Sequence, residues 1–163
     1  MRFRLFYKEL CRVKKRSKRL RQFAMISLTP AQNAQIRVLA ERDYPHECCG
    51  LLVGGFAEDG VKTVVEIYPV SNAREESARL HRYQISPPEF LKAEKYARSI
   101  SLDVVGFYHS HPDHRAIPSH YDLEFAWAAY SYVIVSVNNG KSAELFSWEL
   151  DPDGARFVPE KIC

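Results

Sequence analysis

The most informative part of this sequence is residues 104–122, which read VVGFYHSHPDHRAIPSHYD. The apolar run from Val104 to Tyr108 predicts a buried strand that leads directly into His109. His109 and His111 are two residues apart, so their side chains leave the end of this strand on the same face. Two imidazoles on one face can bind one metal ion at about 2.0–2.1 Å.

A carboxylate follows at the start of the next predicted element. Pro118 and Ser119 begin a helix, and Asp122 lies in its first turn, where its carboxylate can turn back towards the two histidines. Three protein ligands would leave a fourth tetrahedral position for water, as in catalytic rather than structural zinc sites. Such a water has its pKa lowered towards about 7, and its reaction needs a base to accept the proton.

The rest of the chain alternates between helix and strand patterns. Thr29 and Pro30 form a helix start, and Pro45 ends that helix. The predicted helices are 29–44, 86–100 and 119–130; the predicted strands are 49–55, 61–70, 104–108, 132–137 and 143–148; residues 72–83 are a predicted loop. The first two strands pair as a hairpin, and Asn139-Gly140 marks a later turn. This order predicts one α/β (α+β) domain with a mixed, mainly antiparallel sheet flanked by helices.

The motif resembles the signature of the JAMM (MPN+) metalloproteases, which is H-x-H-P, six residues, S, two residues, D, with a glutamate well upstream. Every fixed position is filled here, by His109, His111, Pro112, Ser119 and Asp122. The upstream Glu47, in the segment PHECCGLL at 45–52, matches the glutamate that this family carries just ahead of its first strand. The likeness covers about residues 26–150.

The resemblance implies a cytidine-deaminase-like fold and a role for each matched residue. It makes His109, His111 and Asp122 the ligands of one Zn²⁺ per chain. It makes Glu47 the general acid–base that holds the attacking water, and Ser119 the hydroxyl that stabilises the oxyanion of the tetrahedral intermediate.

Within this family, the chain resembles the prokaryotic members. It is a short, single-domain chain, and its loop carries His114, Ala116 and Pro118. Those relatives release adducts from the C-terminal Gly-Gly tail of ubiquitin-like or sulfur-carrier proteins, including a cysteine residue added during cysteine biosynthesis. The resemblance therefore implies a peptidase whose partner is the tail of a carrier protein. Such a tail could lie along a strand edge.

Two other functions remain open. Two histidines and one carboxylate also form the facial triad of non-haem iron oxygenases, although Glu47 has no evident task in such an enzyme. A non-catalytic binding scaffold of the same fold is the second alternative, and such relatives generally lose one or more metal ligands.

Several residues near the motif have simpler interpretations. Ser119 and Asp122 have the spacing of a capping box, and a metal-bound Asp122 is not expected to cap the helix as well. His114 and His120 are interpreted as loop or substrate-side residues, with a hydrogen bond from His114 to a metal ligand as the alternative. Cys48 and Cys49 are interpreted as small buried residues at the start of a strand.

Composition excludes several classes of protein. The 163 residues fit one hydrophobic core, and 46% hydrophobic residues are typical of a globular protein rather than a disordered one. No apolar run approaches the roughly 18 residues of a membrane span. Four cysteines, at 11, 48, 49 and 163, form no disulfide or zinc-knuckle pattern, so a reducing cytoplasm is expected.

Charge is distributed unevenly along the chain. Residues 1–24 contain ten Lys or Arg and one acid, whereas residues 25–163 carry a net charge of −6. We expect residues 1–24 to be a basic extension, either a solvated tail or the result of an over-long start ahead of Met25, and residues 25–163 to be the metallopeptidase domain. Nucleic-acid binding through this extension is the alternative that its charge allows.

Overall fold

The computed structural model describes residues 25–57 and 60–163. The predicted basic extension, residues 1–24, lies outside the described residues. The strands of the described part are β1 (Met25–Ser27), β2 (Cys49–Phe56), β3 (Lys62–Val70), β4 (Asp103–Pro112), β5 (Ser131–Asn138), β6 (Lys141–Leu150) and β7 (Phe157–Ile162). Its α-helices are α1 (Pro30–Asp43), α2 (Pro87–Ser99) and α3 (His120–Phe125), and one 3₁₀ turn spans Glu76–Ala78.

The strands form one closed sheet in the order β1, β3, β2, β4, β5, β6, β7, with β1 also pairing with β7. The pairs β2–β3, β2–β4, β5–β6 and β6–β7 are antiparallel, whereas β4–β5 and both pairs of β1 are parallel. The predicted mixed, mainly antiparallel sheet and its first hairpin are therefore confirmed. The short closing strands β1 and β7 were not predicted.

A buried ion pair joins two of the strands that close the sheet. The Lys62 ammonium on β3 lies 3.1 Å from Glu160 Oε1 on β7, and it donates a hydrogen bond of 3.0 Å to Ser131 Oγ. Ser147 Oγ donates to the other oxygen of Glu160 at 2.6 Å. Because each charged group has both an opposite charge and hydrogen-bond partners, the desolvation cost of burying them is offset.

The first two helices begin where their capping residues predict. Thr29 Oγ1 accepts the N–H of Gln32, and the Gln32 side chain accepts the N–H of Thr29, which completes a capping box before Pro30. Ser86 caps α2 by accepting the N–H of Glu89 at 3.4 Å. Both starts agree with the predictions, and α1 ends at Asp43, before Pro45.

The two faces of β4 contact different parts of the core. Val105 and Tyr108 belong to a cluster that includes Ile36 and Ala40 of α1. Phe107, on the other face, belongs to a second cluster with Phe90 of α2. The sheet is thus flanked by helices on both faces, as predicted. Because side chains alternate along a strand, His109 lies on the same face of β4 as Phe107, the face that packs against α2.

Helix α3 is shorter than predicted: it ends at Phe125 instead of continuing to residue 130. Trp127 leaves the helix and packs edge-on against Phe90 and Phe107, with ring centroids 5.4 and 6.0 Å away. Its backbone N–H donates to the Tyr132 hydroxyl at 2.6 Å. Aromatic packing therefore overrides the helical periodicity of this segment, and Phe125 is left 58% exposed.

The helices that the structure describes include none with the length and apolar character that crossing a lipid bilayer demands.

Candidate metal centre

The three predicted ligands converge in one buried cluster. His109, His111 and Asp122 each offer one ligand atom, and these atoms lie within 4.8 Å of one another. The two histidine Nε2 atoms are 3.0 Å apart. Asp122 Oδ1 is 3.3 Å from His109 Nε2, and Asp122 Oδ2 is 3.6 Å from His111 Nε2. Two nitrogens and one carboxylate therefore meet at a single point, as the spacing of the motif predicts.

Strand β4 positions the histidines by simple alternation. Phe107, His109 and His111 follow one another on the α2 side of the sheet. Ser110 points to the opposite face, where its Oγ accepts the N–H of Cys48 at 2.8 Å. The backbone at His109 is paired on both sides, with Cys49 of β2 and Ile134 of β5, and His111 is paired with Ser136 of β5.

The tautomer of His111 is set by a backbone carbonyl. His111 Nδ1 lies 2.9 Å from the carbonyl oxygen of Arg115, which can only accept, so Nδ1 carries the proton. In the neutral form of His111, Nε2 therefore presents its lone pair to the cluster, as metal-ligating histidines do. The predicted alternative, a contact from His114, is not observed: the His114 ring instead lies near His81, with centroids 6.4 Å apart.

The electrostatics of the cluster suit a bound cation. Burial lowers the pKa of His109 to about 4, which leaves its imidazole neutral and able to ligate. Burial alone would raise the pKa of Asp122, but the two histidines and two hydrogen bonds from Ser119 hold it well below its usual range. A neutral imidazole faces another ring nitrogen at 3.0 Å beside an ionised carboxylate, and a metal ion would satisfy all three. The donor set fits zinc or non-haem iron.

Asp122 caps its helix and also faces the histidines. Its Oδ2 accepts hydrogen bonds from the N–H and the hydroxyl of Ser119, both at 2.6 Å, and Ser119 Oγ accepts the N–H of Asp122 at 3.1 Å. We expected capping and metal binding to exclude each other; the capping box is formed here while Oδ1 stays 3.3 Å from His109 Nε2, so the two roles use different oxygens of the carboxylate. A carboxylate has two oxygens, and Oδ1 remains directed at His109 while Oδ2 completes the capping box.

Glu47 reaches the cluster through the register of two strands. Cys49 pairs with His109, and Leu51 pairs with Phe107, across β2 and β4. If this register continues by two residues on each strand, Glu47 lies opposite His111 on the same face of the sheet. The Glu47 side chain is only 6% exposed, and its carboxylate has no hydrogen-bond partner among the described residues. A nearby, unengaged carboxylate is what a general base requires.

Burial changes the acidity of Glu47. Loss of solvent raises the pKa of its carboxyl to about 8, with the charge of Asp122 acting in the same direction and His111 opposing it. A carboxyl with this pKa exchanges protons near neutral pH, which suits a group that must accept a proton and later release it.

Other residues that position Glu47 were not identified from the sequence. The Asn72 side chain donates to the Glu47 carbonyl at 3.0 Å, and the Glu47 N–H donates to the Arg79 carbonyl at 2.7 Å. Tyr83 stacks on the His109 ring, with centroids 4.4 Å apart. All three belong to the segment predicted as a plain loop. Its polar composition gave no signal of these contacts, which depend on pairings distant in sequence.

The cysteines beside the site are not nucleophiles. Cys48 and Cys49 are buried, and burial raises the pKa of the Cys48 thiol to about 12. Both thiols therefore remain protonated at neutral pH, in agreement with their interpretation as small buried residues. His120 is the first, exposed residue of α3, consistent with a position on the outer side of the site.

Comparisons with known proteins identify the family of this chain. The family model described as prokaryotic homologs of the JAB domain matches residues 29–151. Desampylase from Haloferax volcanii is 37% identical over 105 residues, covering 64% of this chain and 72% of that protein. CysO-cysteine peptidase from Mycobacterium tuberculosis is 33% identical over 117 residues, covering 71% and 75%. The solution structure of a protein from Salinibacter ruber superposes with a TM-score of 0.66 at 41% identity, covering 85% of this chain and 89% of that one.

Proposed function

Because the chain belongs to the family of prokaryotic homologs of the JAB domain, we propose that it is a zinc-dependent metallopeptidase. Its proposed substrate is an amide bond at the C-terminal tail of a ubiquitin-like or sulfur-carrier protein. The observation that carries the proposal is the convergence of His109, His111 and Asp122 beside the buried, unengaged carboxylate of Glu47. The proposed metal ligands are these two histidines and Asp122, with one zinc ion per chain.

Each residue of the site has a chemical task in this proposal. Zinc, when bound, supplies a Lewis acid and lowers the pKa of water to about 7. Glu47 accepts the proton of the attacking water on its carboxylate and delivers it to the nitrogen of the leaving amine. His111, fixed by the Arg115 carbonyl, keeps its Nε2 lone pair directed into the site throughout.

The substrate class is supported by the relatives and by the chemistry of the site. One relative is named as a peptidase of a CysO-cysteine substrate, and another as a desampylase. The thiols of Cys48 and Cys49 are buried, which raises their pKa and keeps them protonated, so neither is an activated nucleophile. The side chains therefore support attack by water. Such a reaction requires only that a thin, extended peptide tail reach the metal centre.

Ser119 is proposed to stabilise the oxyanion of the tetrahedral intermediate. Its hydroxyl now donates to Asp122 Oδ2, which also accepts the N–H of Ser119 at 2.6 Å. The hydroxyl can therefore rotate towards a substrate oxygen while Oδ2 keeps a hydrogen bond.

Replacing Ser119 with alanine is expected to lower kcat by about 10²–10³-fold if its hydroxyl donates to the oxyanion. The loss of the helix cap should cost stability of about 1 kcal/mol, without removing any metal ligand. Steady-state kinetics, metal content and the thermal midpoint separate these effects. A rate close to that of the wild type would leave Ser119 as a capping residue only.

The proposed activity is tested with a small ubiquitin-like carrier that bears one extra C-terminal residue. Intact mass spectrometry measures the loss of that residue, and metal analysis measures zinc per chain in the same sample. We expect cleavage by the wild type at about one zinc per chain. Cleavage that is independent of metal, or zinc-loaded protein that leaves every such carrier intact, would contradict the proposal.

The two alternative functions predict different results in the same experiment. A non-haem iron enzyme would purify with iron and consume oxygen without cleaving the carrier. A non-catalytic scaffold would bind the carrier without cleaving it. The complete ligand set, together with Glu47, favours the peptidase over both.

Two further assignments accompany this proposal. Residues 25–163 are proposed to form the catalytic domain, and residues 1–24 a separate basic extension, for which salt-dependent nucleic-acid binding is the test. A cytoplasmic location is proposed as well, and the free thiols of Cys48, Cys49 and Cys163 are consistent with a reducing compartment.

A further inference from the structure

Residues 72–84, here called the arginine segment, connect β3 to α2 and run along the candidate metal centre. On one side the segment contacts Glu47 through Asn72 and the Arg79 carbonyl. In its middle, Tyr83 covers the His109 ring. The segment is thus joined to the proposed base and stacked on a proposed metal ligand.

Two guanidinium groups of this segment lie over one aromatic ring. The Arg82 Cζ is 4.8 Å from the centroid of the Tyr121 ring, and the Arg74 Cζ is 5.3 Å from it. Tyr121 precedes Asp122 on α3, so both cations are held beside the helix that carries a metal ligand. A guanidinium that lies over an aromatic ring can still use its N–H groups for hydrogen bonds to an anion.

Neither arginine has an anionic partner in the described part of the chain. Arg74 and Arg82 form no ion pair there, and Arg74 Nε is buried without a hydrogen-bond partner. Glu75 and Glu76 are adjacent in sequence, but both are exposed and neither pairs with these arginines. Two like charges held together in a domain of net negative charge indicate a place for an anion.

We infer that Arg74 and Arg82 bind a carboxylate of the substrate, namely the α-carboxylate of the residue that is released. This inference rests on the proposed function. A guanidinium pairs with a carboxylate through two parallel N–H···O bonds, which a neutral amide cannot reproduce. In a carrier extended by one residue, the α-carboxylate lies one residue beyond the scissile bond, a span of about 3.3–3.6 Å, so it arrives beside the site together with the bond to be cleaved.

The consequence is a preference for a free C-terminus. The enzyme would act as a carboxypeptidase on its carrier, and it would discriminate against internal bonds and against amides that join the carrier to a lysine side chain. Because the α-carboxylate is charged both before and during the reaction, its recognition should appear mainly in KM.

The experiment uses two carriers that differ only in the last group, one ending in a free acid and the other in a primary amide. For the zinc-loaded full chain, we expect kcat/KM to be about 10- to 100-fold higher for the acid. Arg82→Gln and Arg74→Gln should each reduce this preference, mainly by raising KM for the acid. Arg82→Lys should retain part of it, because the charge remains but the paired hydrogen bonds are lost.

The matched control is Arg98→Gln, since Arg98 is exposed on α2 and pairs with Glu94. Its acid-to-amide preference should equal that of the wild type. Equal cleavage of acid and amide by the wild type would overturn the inference. If the arginine variants then slowed both carriers equally, the anion would be a carboxylate of the carrier itself and not the released one. Failure of the wild type to cleave either carrier would overturn the proposed function, and this inference with it.

Discussion

Glu47→Gln is expected to lower kcat by about 10²–10⁴-fold while the protein keeps its metal. Glutamine fills the same volume opposite His111 but cannot accept a proton. The ligand set of His109, His111 and Asp122 is untouched, so zinc per chain should equal that of the wild type. Single-turnover cleavage of the extended carrier, measured beside metal content, checks both parts of the expectation.

A second readout of the same variant is the stability of the metal-free protein. The folded-state pKa of Glu47, about 8, lies above its ordinary value of 4.5. Between these two values the folded state holds a proton that the unfolded state releases, so the wild type loses stability as pH rises from about 4.5 to about 8. Glutamine removes this loss, and the thermal midpoint of metal-free Glu47→Gln should exceed that of the wild type at pH 8.

The control for this experiment is Glu66→Gln, which changes a β3 carboxylate hydrogen-bonded to the Tyr96 hydroxyl, outside the proposed site. Its turnover should be that of the wild type. Normal turnover by zinc-loaded Glu47→Gln would remove Glu47 from the role of base, whatever its effect on stability.

Asp122→Ala is expected to lose both metal and activity. Alanine removes Oδ1, the oxygen that faces His109 at 3.3 Å, and leaves two imidazoles as the proposed protein ligands. Catalytic zinc sites generally use three protein ligands, so affinity should fall enough for dialysis to strip the metal. Turnover should then fall to the background rate. Inductively coupled plasma measurements after dialysis and carrier cleavage at fixed added zinc provide the test.

Ser119→Ala is the matched control, because Asp122→Ala also removes a helix cap. Both variants lose half of the capping box, but only Asp122→Ala loses a proposed ligand. Ser119→Ala should therefore retain zinc under the same dialysis. Retention of full zinc by Asp122→Ala would show that the carboxylate serves the helix alone, and loss of zinc by both variants would assign the effect to the cap.

The sequence predicted the local parts of the site well, since these depend on spacing within one short stretch. His109 and His111 share a face because side chains alternate along β4, and Asp122 returns to them because a helix begins at His120. The capping box of Ser119 was also recognised. The division of the two carboxylate oxygens, with Oδ2 in the cap and Oδ1 facing His109, was not predicted, because spacing does not encode it.

The non-local parts could not be predicted in the same way. The register that brings Glu47 opposite His111 depends on the pairing of β2 with β4, which are separated by a hairpin strand and a helix. Only the family resemblance pointed to Glu47. The stacking of Tyr83 and the cationic pair over Tyr121 arise from a segment whose polar sequence is typical of many loops.

The limits of α3 show a different kind of failure. Helical periodicity continued beyond Phe125, but the helix ends there and Trp127 packs edge-on against Phe90 and Phe107. Periodicity describes which face a residue would occupy in a helix, and it does not compare that helix with a competing aromatic contact elsewhere in the fold.

Pairing of β1 with β7 joins the two ends of the described chain, from Met25 to Ile162. Contacts between such distant segments require a large loss of chain entropy before they form, and they slow folding. The ligand stretch from His109 to Asp122 requires far less ordering of the chain. During folding, the metal-binding stretch therefore needs only local order. Closure of the sheet, in contrast, requires the contacts that are most distant in sequence, and these form slowly.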